Sequence, residues 1–110
     1  MAKEVLFFLM GLFFIATGAL ADQGEAVFKD LHCAVCHKLE TGKTNPSLKE
    51  IAQAYRGKQD QLIKYLKGEG ESVIKPEKAS MMKRYVDKTK ALADEERKAL
   101  ADFILMHGDR

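Results

Sequence analysis

The chain has 110 residues and a formal net charge of +2 at pH 7, with 18 Lys and Arg set against 16 Asp and Glu, and it contains two Cys. So small a charge excludes the strongly basic footprint of nucleic-acid binding, and the length allows one small domain whose own core is thin. No stretch alternates with period two and no internal repeat occurs, so the pattern predicts an all-α fold.

Residues 1–21, MAKEVLFFLMGLFFIATGALA, place Lys3 ahead of an apolar run from Val5 to Ala16 and end on Ala19-Leu20-Ala21. This is the pattern of a secretory signal peptide, and it predicts export to the periplasm and a mature domain over residues 22–110. An uncleaved anchor is the rival reading. It suits the segment less well, because the apolar run is shorter than the roughly 20 residues a spanning helix needs and is interrupted by Gly11 and Gly18.

In the mature chain Asp22 can cap a first short helix, in which Gly24, Val27, Phe28 and Leu31 recur at three- and four-residue spacing. The polar stretch from Glu40 to Pro46 predicts a loop. A second helix then uses Asn45 as its cap and Pro46 at the first helical position, with Leu48, Ile51, Ala52 and Tyr55 in one stripe that Gly57 ends. A third, from Asp60 to Lys67, carries Leu62, Ile63 and Leu66 on one face, with Gly68 and Gly70 beyond it. Between Glu69 and Ala91 periodicity is weak. Pro76, the pair Met81-Met82 and the scattered Val73, Ile74, Tyr85 and Val86 predict an irregular connection with a turn or two of helix, a natural place for function. The last helix, from Asp94 to His107, sets Leu100, Phe103, Ile104 and His107 on one face ahead of Gly108. Each helix is too short to be stable alone, so packing must hold them.

The chemistry lies in Cys33-Ala34-Val35-Cys36-His37, the C-x-x-C-H signature of covalent haem attachment. Two thiols three residues apart reach the vinyl-derived positions along one haem edge and form thioethers, and the imidazole that follows meets the iron from the same side. A thioredoxin-like dithiol would want a βαβ setting, which this helical chain lacks. Structural zinc needs four ligands, and the other two His, His32 and His107, do not have the spacing to supply them. A disulfide between the two Cys would close a tight, strained loop. Haem c with its iron is therefore the predicted cofactor.

The sixth iron position has five candidates in the mature chain: Met81, Met82, Met106, His32 and His107. His32 lies too near the attachment site to fold back over the other haem face. Met106 and His107 end the last helix and read as core or surface residues. Met81 and Met82 lie far enough along the chain to reach the far side, and the residues by themselves do not separate the two. A thioether ligand raises the reduction potential and leaves the iron no open position for O₂ or substrate.

The residues resemble the class I cytochromes c of the short bacterial kind over the whole span from Asp22 to His107. Gly24 and Phe28 ahead of C-x-x-C-H, the phrases NPSLKEIAQAY and KQDQLIKYLKGEG, and the ending LADEERKALADFILMH look like the cytochrome c-555 group of thermophilic bacteria. The resemblance implies an all-α fold wrapped around one haem, with the first and last helices crossing so that Gly24 and Phe28 meet Phe103 and Ile104. It implies Met82 as the iron ligand and Met81 as a pocket residue, and a Pro46 carbonyl that accepts the hydrogen bond of the iron-bound His37. Two departures accompany it: Asn45 stands where the family usually has Gly, and Lys83-Arg84 follow Met82 where it often has Pro.

The expected function is an exported mono-haem electron carrier, not an enzyme, acting as a monomer that docks transiently on redox proteins. It would meet membranes only through partner complexes or an uncleaved signal. The many lysines read first as a solvated surface; Lys38, Lys43 and Lys83 near the haem edge could also steer acidic partners. The alternative is a haem-based gas or redox sensor, which would need the sixth ligand absent or easily displaced. A small haem peroxidase has no support, since no His, Arg and Glu cluster stands out to assist peroxide cleavage.

Overall fold

The computed structural model describes residues 23–38 and 45–108. Helix α1 covers 23–30, and α2 is the single turn Cys33–Cys36. There follow α3 (Leu48–Ala54), α4 (Gln59–Leu66), a 3₁₀ turn at Pro76–Lys78, α5 (Ala79–Lys90) and α6 (Asp94–Leu105). Among the described residues there is no strand, as the sequence pattern predicts. The signal-peptide segment 1–21, the Asp22 cap and most of the predicted 40–46 loop lie outside the described residues.

Helix α1 packs directly against α6, and Gly24 sets how closely. A Cβ there would collide with the carbonyl oxygen of Ala99 and lie 2.8 Å from Cβ of Phe103, so only hydrogen fits between the two backbones. One turn along, the Phe28 and Phe103 rings meet at 5.3 Å in a tilted arrangement. Val27 and Phe28 of α1, Leu48 of α3, Leu62 and Leu66 of α4, and Leu100, Ala101 and Ile104 of α6 form the buried core together with Tyr55.

The start of α3 differs from expectation. Pro46 precedes the helix, and Ser47 is its cap: the Ser47 hydroxyl accepts from Glu50 N at 3.1 Å, and Ser47 N donates to Glu50 Oε1 at 3.2 Å. This reciprocal capping box satisfies two donors that the helix start would otherwise leave bare. Asn45 only leads into it. Asn45 is absent from the positions of positive φ, so the chain here makes no use of the freedom a glycine would give.

Helix α4 ends as its glycine predicts. Gly68 adopts φ +77°, which lets Glu69 N donate to Lys64 O at 2.9 Å and Gly68 N to Tyr65 O at 3.0 Å. These are the paired bonds of a Schellman termination.

The larger correction concerns the stretch expected to be irregular. After the turn at Pro76–Lys78 the chain forms α5, twelve residues long, so Met81 and Met82 sit in its first turn and not in a loop. Met82, Tyr85, Val86 and Thr89 follow helical spacing, but the stripe is disguised in the sequence because its last member is polar and its first has an apolar neighbour out of phase. Thr89 is buried all the same, its hydroxyl donating to Leu66 O at 2.6 Å with Val86 O at 3.1 Å. The absence of proline after Met82 matters as well. Lys83 and Arg84 continue a helix that a proline would interrupt.

Helix α6 starts where predicted, with Asp94, Glu95 and Glu96 in the first turn, where negative charge meets the positive helix end. It closes at Leu105, slightly before the predicted His107.

The Glu50 carboxyl is held below the usual carboxylate range, first by the N–H of Ser47 and then by its hydroxyl. Ser47→Ala is expected to cost about 1 kcal/mol near neutral pH, as cap removal generally does, measured by denaturant unfolding of the haem-loaded protein. Glu50's share of the cap is present above its ordinary value and is lost as pH falls through the lowered one, so the gap between wild type and variant narrows in acid.

Candidate functional site

Helix α2 is one turn long, and its shape follows from the attachment motif. The chain enters it through His32 in the left-handed region at φ +60°, and His37 N closes it by donating to Cys33 O at 2.9 Å. Residues three apart on a helical turn share a side, so Cys33 and Cys36 present their thiols together with His37 just beyond. Neither Cys is in a disulfide. Cys33 is partly buried, and that burial pushes its thiol up.

His37 is fixed from the other end of the 39–44 segment. Its Nδ1 lies 2.8 Å from the carbonyl oxygen of Pro46. A carbonyl can only accept, so Nδ1 carries a hydrogen, and in the neutral ring Nε2 keeps its lone pair. Leu48 N donates to Lys38 O at 2.7 Å, so the segment after the motif is clipped to the start of α3 at two adjacent points. Pro46 and Ser47 are buried here, which holds the carbonyl in place.

Beside this turn opens a cleft of about 680 Å³, lined by residues of α1 through α6. Cys33, Cys36 and His37 border it along one stretch, and Met82, Tyr85 and Val86 of α5 along another. The cleft also reaches the core itself, since Phe28, Leu62, Leu100 and Ile104 both pack the interior and line it. Its size falls in the range of cofactor sites.

The five candidate axial residues separate in space. Met81 and Met82 both line the cleft, with Met82 half-buried and Met81 61% exposed. His32 borders the cleft next to the motif. Met106 and His107 do not line it. His107 Nδ1 donates instead to Phe103 O at 2.8 Å, with its ring edge-on to Phe103 at 4.8 Å, an arrangement that finishes α6. Tyr65, which the sequence reading passed over, lines the cleft from α4, and burial pushes its phenol up. Its position three residues from Leu62 on the same helix was the available signal.

Two thiols on one turn, a neighbouring imidazole oriented through its Nδ1, and an apolar cleft continuous with the core form a donor set that fits haem c. The cytochrome c family model matches residues 21–107 of the chain. A cytochrome c-551 from Stutzerimonas stutzeri is 33% identical over 90 residues, which are 79% of this chain and 79% of that protein. A cytochrome c-551 from Pseudomonas aeruginosa is 35% identical over 43 residues, 39% of this chain and 41% of that one. These likenesses do not single out the c-555 group that the sequence phrases resemble. With the helical fold and the attachment turn already in place, they establish that the chain belongs to the cytochrome c family, as a class I cytochrome c that carries covalently bound haem c and serves electron transport.

Proposed function

We propose that the protein is an exported electron carrier whose single haem iron is held between His37 and Met82. The observation that carries this reading is the 2.8 Å contact of His37 Nδ1 with Pro46 O, made at the border of a cleft that Met82 also lines. Haem c, when bound, supplies a one-electron ferric/ferrous couple. Cys33 and Cys36 would fasten it through their sulfurs. Pro46 orients the His37 ring and makes it a better donor. Met82 offers a soft thioether that favours the reduced state, and with His37 and Met82 both engaged the site would transfer electrons without binding substrate. The apolar walls keep water from the site and so limit the rearrangement that accompanies a change of charge.

Export is supported by the signal-peptide pattern of residues 1–21 and by a family match that begins at residue 21. Among the described residues no helix is long and apolar enough to cross a membrane. Redox proteins are the expected partners. Lys38 and Lys83 are exposed near the cleft, Lys83 in a surface pair with Asp87 at 3.6 Å. Such charges act mainly on encounter rates.

Met82→Ala is expected to abolish the weak long-wavelength charge-transfer band of the ferric protein and to lower its midpoint potential, while Met81→Ala preserves both. The reverse pattern would move the ligand to Met81, and a band that survives both changes would exclude a thioether ligand. If Lys38 and Lys83 steer an acidic partner, electron-transfer rates fall as ionic strength rises, because exposed charges are screened within about 10 Å at 0.1 M salt. A flat salt dependence in stopped-flow measurements would remove the steering. The core opens into the cleft, so the double change Cys33→Ala, Cys36→Ala, which prevents attachment, is expected to abolish cooperative melting followed by circular dichroism.

A further inference from the structure

Arg97 is a buried cation that the electron-carrier site does not use. It lies on α6, 4% exposed, and its guanidinium gathers the segment joining α5 to α6. Nε donates to Thr89 O at 3.0 Å, and Nη2 donates to Lys90 O at 2.9 Å and to Leu92 O at 2.6 Å. Nη1 donates to the Asp94 carboxylate at 2.7 Å, but that side chain is 91% exposed, and an ion pair with so wet a partner contributes little. The carbonyls are the substance of the arrangement. Those of Thr89 and Lys90 belong to the last turn of α5, where the helix leaves its acceptors without intrahelical partners and where a positive charge is favoured.

From Thr89 the linkage continues, since its hydroxyl donates to Leu66 O at the end of α4. Arg97 thereby ties α6 to α5, and Thr89 ties α5 to α4. At the other end of α5, Ala79, Ser80 and Met81 in the first turn are exposed. Met82 lies seven residues before Thr89, two helical turns along the same face. A helix held at one end transmits that end's position to the other.

We propose that Arg97 is a positioning residue for the Met82 thioether: by clamping the C-terminal end of α5 it determines where Met82 stands in the haem cleft. The proposal rests on the reading of Met82 as the iron ligand. It requires that weakening the clamp release the thioether before the helices melt, which a purely structural role for Arg97 would not do.

The test uses the haem-loaded ferric protein, heated while the charge-transfer band and the far-ultraviolet ellipticity are recorded together, with the midpoint potential measured at room temperature. Arg97→Lys keeps the charge but loses the fork that reaches several carbonyls at once. Thr89→Val keeps the shape and breaks the link to Leu66, and it decides the matter should Arg97→Lys not fold. Leu105→Ala, a half-buried position on α6 outside the cleft, serves as a destabilised comparison. The expected result is that Arg97→Lys and Thr89→Val lose the band at temperatures where helix signal persists and show a lowered potential, whereas in Leu105→Ala band and helix signal shift together. Band and ellipticity melting together in both clamp variants, with the potential unmoved, would overturn the role of Arg97. Survival of the band in Met82→Ala would overturn the ligand reading itself, and the proposal with it.

Discussion

A backbone carbonyl has nothing to donate, and the site depends on that fact. With Pro46 O only 2.8 Å away, the His37 ring must place a hydrogen on Nδ1, which in the neutral ring leaves the lone pair on Nε2. The same contact joins the attachment turn to the start of α3 across the segment 39–44. It persists because Ser47, next in the chain, closes a capping box that fixes where α3 begins. Orientation of the imidazole and the first residue of a helix are therefore one structural event, and Pro46, with its φ preset, is suited to stand between them.

Around that event the helices divide the work. The close approach of α1 and α6 at Gly24 and the contact of Phe28 with Phe103 build a frame on which α3 and α4 pack. α5 stands apart from this frame. Its residues are largely polar, only Thr89 is fully buried, and a set of hydrogen bonds near its C-terminal end ties it to α4 and α6. The side of the cleft at residues 33–37 is thus clipped to the start of α3 at His37 and Lys38, while the α5 side is tied to α4 and α6 by polar contacts near its C-terminal end.

The parts legible in the sequence are those in which one residue type serves one purpose. Cys33, Cys36 and His37 declare themselves because a C-x-x-C followed at once by His, in a helical chain, points to haem attachment, and α3, α4 and α6 show uninterrupted apolar stripes. Ser47 was legible too, through Ser-x-x-Glu, but the more familiar Asn-Pro pair ahead of it drew the helix start two residues early. Helix α5 was hidden for a physical reason: its inward face ends in a threonine that is buried only because a carbonyl of α4 accepts its hydrogen bond, and a sequence does not display tertiary partners. Met81 and Met82 could not be told apart as letters. A helical backbone turns successive side chains about 100° apart, and on α5 that rotation leaves one methionine mostly in solvent and the other half-covered.

Leu100, Ile104, Phe28 and Leu62 belong at once to the interior of the protein and to the wall of its cleft. In most small domains the core can drift by neutral exchange of similar apolar residues while the working surface stays constant. At these four positions no such separation exists, since a substitution there that adjusts packing also alters the polarity and shape of the cleft wall. Durability and electrical set-point are inherited through the same side chains, so selection on either one constrains the other.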